Sequence, residues 1–343
     1  MNIGILTGGG DCPGLNAAIR AVVRKAETRG HRVVGFHDAW RGFLNHDALE
    51  LTVEKVRGIL PRGGTILGTT RGSPFDFSDG VAQTQAAFER HQLDALIVIG
   101  GNGSLTVGAM LHEQAGLPIV GIPKTIDNDV AGTDASFGFH TAVQTATDAI
   151  DRLHTTAESH DRVMVVEVMG RDTGWIATYA GIAGGATVVL VPERPFNVDK
   201  VCDFINRRHQ RGRLASIVVV AEGAAPIAGT PPHLEYAHDQ FGRARLGGIS
   251  AALAPIIEER TSFDVRVVQI GHIQRGGTPT AFDRVLATRF GLAAIDAIDD
   301  GDFGSMVVLR GDEIERAPLL TTKGRTRTVN LALYDEAEAV FFG

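Results

Sequence analysis

The sequence predicts an α/β protein, doubly wound around mainly parallel sheets. Three observations carry that prediction. Short apolar runs alternate with helical patterns along most of the chain, as strands and their crossover helices do. The runs themselves, Ala95–Ile99 and Leu117–Ile122 above all, are continuously apolar, the pattern of strands buried on both faces. The 42 glycines exceed ordinary usage and fall mostly at the ends of apolar runs, where turns are needed. With 343 residues the chain is long enough for two domains and a large core.

Taken in order, Asn2–Thr7 reads as a strand, closed by the turn Gly8-Gly9-Gly10-Asp11-Cys12-Pro13-Gly14. Leu15–Gly30 carries an apolar face at Ile19, Val22 and Val23 and reads as a helix. Arg32–Phe36 is a strand, and Gly63–Arg71 a glycine-punctuated loop. Ala82–His91 is helical; Ala95–Ile99 is a strand that runs through Gly100-Gly101-Asn102-Gly103-Ser104 into a helix ending near Gln114. The strand Leu117–Ile122 leads into Pro123-Lys124-Thr125-Ile126-Asp127-Asn128-Asp129, and Thr141–His154 is helical. Arg162–Val168 is a strand, Met169-Gly170-Arg171 a turn, and a helix starts from Gly174. Ala186–Val191, Ser216–Val220 and Val265–Ile270 are strands, with helices at Val198–Arg208, Ile249–Glu259 and Ala281–Asp296. Residues 223–245, rich in Pro, Gly and polar side chains, read as an irregular excursion.

Charge and composition narrow the function classes. A net charge of −7 and a pI near 5.9 speak against a nucleic-acid or membrane-surface partner. No apolar run approaches a membrane span and no signal peptide opens the chain, so it reads as cytoplasmic. Cys12 and Cys202 form neither a metal pattern nor a disulfide framework.

Chemistry concentrates at the carboxyl ends of the strands, where parallel sheets hold their ligands. Pro123–Asp129 offers a cation, a hydroxyl, an amide and two carboxylates. Asp127 and Asp129 lie two apart and point the same way on extended chain, so one could take a proton while the other holds a divalent metal. A solvated Asn/Asp turn is the plain alternative. The turns Gly8–Gly14 and Gly100–Ser104 each join a strand to a helix, an arrangement that suits phosphate or tight packing alone. Neither is a P-loop, and the first fails the dinucleotide pattern at its sixth place, where Pro13 stands. Arg71, Arg162, Arg171, Arg266 and Arg275 sit in loops or at strand edges and could grip phosphate. Glu222 could accept sugar hydroxyls. His272 fits a structural histidine as well as a ligand contact, and Trp40 and Trp175 read as packing.

Together, Thr7–Asn16, Gly100–Ser104, Pro123–Asp129, Glu167–Arg171 and Gly271–Gly277 resemble 6-phosphofructokinases, over the whole length from Met1 to Gly343. Ala149–His160 and the ending Phe341-Phe342-Gly343 resemble the actinobacterial-type branch of that family. The resemblance implies two Rossmann-like domains with the active site in the cleft between them. Residues 1–138 plus about 275–310 would bind the donor, and 139–274 plus about 311–343 fructose 6-phosphate. Asp127 would take the proton of the sugar 1-hydroxyl, with Thr125 and Lys124 beside the transferring phosphoryl group and Arg171 and Arg71 neutralising its charge. Arg162, Arg266 and His272 would hold the 6-phosphate, Arg162 and Arg266 reaching in from a neighbouring subunit of a homotetramer, or a homodimer. Met169, Gly170, Glu222 and Arg275 would contact the sugar. Gly10, Gly103 and Ser104 would line the donor-phosphate site, and Asp129 with Asn102 would place Mg²⁺.

Three positions depart from the family's usual pattern. Asn102 replaces an acidic residue near the metal. Lys124 stands where ATP-using bacterial members have glycine and pyrophosphate-using members lysine. Thr187 replaces a glutamate of the nucleotide-effector site, although basic residues remain at Arg20, Arg24, Arg211 and Arg213. Gly103 stands where pyrophosphate-using members carry aspartate. The expected donor is therefore ATP with Mg²⁺, with pyrophosphate as the alternative. A non-catalytic sugar-phosphate sensor is a third reading, against which Asp127 argues.

Overall fold

A computed structural model describes residues 1–232 and 247–342. Most of the expected excursion at 223–245 lies outside the described residues. In chain order the elements are β1 (Asn2–Thr7), α1 (Leu15–Thr28), β2 (Arg32–Phe36), α2 (Trp40–Asn45), β3 (Ala48–Leu51), α3 (Gly80–Arg90), β4 (Ala95–Gly100), α4 (Asn102–Ala115), β5 (Ile119–Thr125), β6 (Phe137–Gly138) and α5 (Phe139–His160). There follow β7 (Val163–Val168), α6 (Trp175–Ala183), β8 (Val188–Leu190), α7 (Val198–Gln210), β9 (Ser216–Ala221), α8 (Ile249–Thr261), β10 (Val265–Gln269), α9 (Ala281–Asp299), β11 (Ser305–Arg310), β12 (Glu313–Pro318) and α10 (Leu331–Phe341).

The chain forms two compact units, Met1–Thr141 with Arg275–Arg327, and Ala142–Gln274 with Thr328 onward. In the first, the sheet runs β12-β11-β5-β4-β1-β2-β3, with β6 on the end of β5. Its inner pairs are parallel, and an antiparallel pair closes each edge, β2 with β3 and β11 with β12. All six residues of β4 are buried, which is why that strand reads as one apolar run. Leu6, Phe36, Val98, Leu105, Ile119, Met306 and Leu319 belong to one core cluster. On the same unit α9 lies close on α1: a methyl at Gly291 would stand 2.7 Å from the Ala18 carbonyl oxygen.

In the second unit four strands run β10-β7-β9-β8, all parallel. Their core gathers Val165, Leu190, Val201, Ile205, Val218, Leu253 and Ile257.

The expected crossing of the chain near residue 310 is corrected to Arg327. After Arg310 the chain doubles back as β12, paired from Arg310↔Glu313 to Ser305↔Pro318. It cannot leave the first sheet until that hairpin is complete, and Leu319 and Thr322 are then buried against it. The first unit likewise extends to Thr141 rather than 138, because the Thr141 N–H and hydroxyl both donate to the buried Asp283 carboxylate.

Among the described residues no helix is long and apolar enough to cross a membrane. Both cysteines are buried and unpaired. Trp40 and Trp175 are buried too, 3% and 4% exposed, as packing side chains.

Candidate active site

Strand order explains what meets in the first unit. Because β5, β4 and β1 are consecutive neighbours, the turns after them lie side by side along one edge of the sheet: Pro123–Asp129, Gly100–Ser104 and Gly8–Gly14. This is the carboxyl edge, where ligands of open α/β sheets bind. The turns are close enough that added side chains would collide. A methyl at Gly8 would stand 2.5 Å from Ser104 Oγ, and one at Gly10 2.6 Å from Arg275 Nη1. The loop that carries Arg71 is stitched to the same edge, since Thr69 Oγ1 donates to the Gly9 carbonyl at 2.7 Å and the Gly9 N–H to that of Thr70 at 3.3 Å. Asn16, which the sequence reading did not single out, holds this loop from beneath. Its amide donates to the carbonyls of Arg62 and Gly63 and accepts the Ile66 N–H. A polar residue within the apolar pattern of α1 was the available signal.

Within Pro123–Asp129 the extended-chain expectation fails. Asn128 has φ +52°, so the backbone bends between the two carboxylates and a two-residue spacing no longer sets their direction. One local bond and one from outside the segment shape the bend: Thr125 Oγ1 accepts the Asp127 N–H at 3.1 Å, and Asn128 Oδ1 accepts the Ser136 N–H at 3.0 Å. Asn102 reaches across from α4, its Nδ2 donating to the Asp129 main-chain oxygen at 3.1 Å and to Oδ2 at 3.0 Å. Asn102 Oδ1 is buried without a hydrogen-bond partner. An oxygen-only set of this size fits Mg²⁺, which keeps few protein ligands and completes its shell with water and phosphate. Among the described residues no group of three His, Cys, Asp or Glu could hold a metal alone.

Lys124 is 3% exposed, and burial lowers the pKa of its ammonium, with Cys12, Asp11 and Asp127 opposing and Arg275 reinforcing that shift. Burial pushes the neighbouring Cys12 thiol up to about 12, so it stays protonated and inert. Gly103, in the first turn of α4, faces open space: nothing lies within 4 Å of a methyl built there.

In the second unit the same logic applies to β10, β7 and β9. Their carboxyl ends carry His272, Met169-Gly170-Arg171 and Glu222, and adjacency of the strands sets these turns beside one another. The Glu222 N–H donates to the Val168 carbonyl at 2.9 Å and the Gly223 N–H to that of Gly170 at 3.1 Å. Gly170 needs its glycine, since φ is +139°. Gly223 needs it for room: a methyl there would meet the Arg171 carbonyl oxygen at 1.8 Å. Gly223→Ala is expected to cost about 1–3 kcal/mol through overpacking, read as a lower denaturant midpoint; an unchanged midpoint would show that the Arg171 turn yields freely.

Arg162 and Arg266 do not join this group. They sit at the amino ends of β7 and β10, where Arg162 Nε donates to Asp264 Oδ2 at 2.6 Å and Arg266 pairs with the other oxygen of Asp264. The length of β7, roughly 20 Å at about 3.3 Å per residue, separates that end from Met169 and His272. Arg275, expected at the sugar, belongs to the first unit, where Nη1 donates to the Asp11 carbonyl at 3.2 Å. The expected effector position Thr187 is buried, 1% exposed, and its hydroxyl accepts the Ile217 N–H at 3.1 Å.

Glu167, quoted above only as part of a motif, has a plain structural task. Its buried carboxylate accepts the N–H groups of Gly248 and Ser250 at the start of α8, at 2.9 Å and 3.0 Å, and the Ser250 hydroxyl. A carboxylate there satisfies orphan donors and meets the positive end of the helix dipole.

Parallel sheets edged by glycine turns, helix N-termini and cations have the makings of a phosphate-handling site, and the relatives place the chain among enzymes that transfer phosphoryl groups. The chain belongs to the phosphofructokinase family, whose model, "Phosphofructokinase", matches residues 2–298. It is 54% identical over 344 residues, all of both chains, to the pyrophosphate–fructose 6-phosphate 1-phosphotransferase of Streptomyces coelicolor. It is 53% identical over 341 residues to ATP-dependent 6-phosphofructokinase 3 of the same organism, covering 99% of this chain and 100% of that one. Among solved structures it resembles phosphofructokinase from Saccharomyces cerevisiae with a TM-score of 0.82 and 33% identity, over 94% of this chain and 45% of the yeast chain.

Proposed function

We propose that this protein is an ATP-dependent 6-phosphofructokinase, moving the γ-phosphoryl group of ATP to the 1-hydroxyl of fructose 6-phosphate. The observation that carries the choice of donor is the open space at Gly103. A nucleotide needs room beyond its β-phosphate, and glycine leaves that room while letting the backbone approach. The donor phosphates lie on the turns at Gly10, Gly103 and Ser104, with Arg71 beside them. Asp127 accepts the proton as the hydroxyl oxygen attacks the γ-phosphorus and the bond to ADP breaks. Thr125 and Arg171 stabilise the charge in flight; such reactions are driven by positioning and charge neutralisation. Mg²⁺, held by Asp129 and Asn102, supplies further neutralisation when bound. Met169, Gly170, Glu222 and His272 hold the sugar phosphate, joined by Arg275. The work is cytoplasmic, and the active assembly is a homotetramer.

Pyrophosphate is the second reading, favoured by Lys124 and by the name of one S. coelicolor relative. Supplying fructose 6-phosphate with ATP and with pyrophosphate, side by side, decides between them. We expect the higher kcat/KM with ATP. Brisk turnover with pyrophosphate and none with ATP would overturn the choice, and turnover with neither would point to a sensor.

Arg162 and Arg266, far from the carboxyl ends of their own sheet, serve a neighbouring subunit's 6-phosphate. Arg162→Ala should raise the fructose 6-phosphate KM roughly ten- to a hundredfold, the worth of a charge-assisted contact of about 1.5–3 kcal/mol, with the oligomeric state unchanged by light scattering. An unchanged KM would place the 6-phosphate elsewhere.

A further inference from the structure

We infer that Lys124 and Arg275 are positioning residues that hold the Gly8–Asp11 turn by its carbonyl oxygens, so that the N–H groups of Asp11 and Cys12 face the donor phosphates. The inference rests on the reading that this turn takes the donor. It assigns Lys124 a task other than touching the donor itself, and gives Arg275 a donor-side task besides the sugar.

The bonds are on the carbonyl side of the turn. Lys124 Nζ donates to the Gly8 carbonyl at 2.9 Å and to that of Gly10. Arg275 Nη1 donates to the Asp11 carbonyl. Two cations thus take three carbonyls of a four-residue stretch. In a planar trans peptide the C=O and the following N–H point in opposite directions. Turning the Gly10 and Asp11 carbonyls onto Lys124 and Arg275 therefore aims the N–H groups of Asp11 and Cys12 to the other side. These two N–H groups precede α1, whose first N–H groups and dipole add to the same positive concavity.

The energetics favour this task over simple charge provision. Removing an ammonium from water is costly unless its protons find acceptors, and Lys124 is almost wholly buried. Carbonyls, not carboxylates, are its partners here, so its charge is held without being neutralised by a contact. Arg275 lies close over Gly10: a methyl built there would stand 2.6 Å from Nη1, so the guanidinium would have to shift.

Calorimetric binding of ADP, of pyrophosphate and of fructose 6-phosphate tests the inference without relying on turnover. Lys124→Met keeps the length and removes the donors. It should weaken ADP and pyrophosphate alike, at least tenfold, and leave fructose 6-phosphate within about twofold. Lys124→Gln, which keeps a donor, should fall between. Loss confined to pyrophosphate would show that the lysine touches the donor, and unchanged donor binding would leave the turn without need of it; either overturns the inference. Should Lys124→Met fail to fold, Arg275→Lys gives the same decision: donor affinity falls with that of the sugar phosphate if Arg275 holds the turn, and stays at wild type if it serves the sugar alone. Wild-type protein that binds neither ADP nor pyrophosphate would sink the donor-site reading itself, a result distinct from any of these.

Discussion

Asp127→Ser is expected to lower kcat by roughly 10²–10⁴, the usual worth of a positioned general base, while the fructose 6-phosphate KM stays near wild type. The base acts on a proton that moves only in the transition state, so its loss spares ground-state binding. The fold should survive the change. Asp127 is only partly buried, and the bend around it is held by other groups: Thr125 Oγ1 on the Asp127 N–H, Ser136 on Asn128, and Asn102 on Asp129. A serine keeps that N–H. Steady-state kinetics with saturating donor is the measurement, and a kcat within a few-fold of wild type would remove Asp127 from the role.

Gly103→Asp should cripple ATP use, lowering kcat/KM for ATP by roughly 10²-fold or more. An aspartate there fills the space that glycine leaves open and sets a carboxylate against the α-phosphate; like charges brought together cost several kcal/mol, and about 1.4 kcal/mol is a tenfold loss. The loss cannot be put down to misfolding. Gly103 has no positive φ, it is exposed, and an acidic residue in the first turn of α4 complements the helix dipole. Pyrophosphate, which has no α-phosphate or adenosine to exclude, should be far less affected. An ATP kcat/KM equal to wild type in this variant would show that the donor lies away from α4.

Legibility in the sequence followed burial for most strands, though not for β11. β4 reads as one continuous apolar run and β7 as an apolar run broken only by Glu167, all six residues being buried in each, and their limits differ from expectation by a residue. β3, β6, β11 and β12 were not expected at all. β3 and β12 are edge strands, and the exposed, charged Glu313–Pro318 resembles a loop, because edges are blunted with just such residues; β11 was missed although five of its six residues are buried, and β6 is only two residues long. The short α2 and the C-terminal α10 were missed for a related reason: six residues cannot display a helical period, and α10 buries only Tyr334 and Ala337.

The sequence by itself determined the alternation of strands and helices, the glycine turns at strand ends, and the chemical stock of each turn, since these depend on residue type and spacing within a dozen positions. Only the tertiary structure decided which turns share an edge. The adjacency of β5, β4 and β1 brings Lys124 to the Gly8 carbonyl across 116 positions of chain, and the same strand geometry puts Arg162 at the opposite end of its sheet from His272. The bend at Asn128, which ends the simple two-residue rule for Asp127 and Asp129, belongs here too. Hydrogen bonds from Ser136, Asn102 and Arg327 impose it from outside the segment, where local spacing carries no information about them.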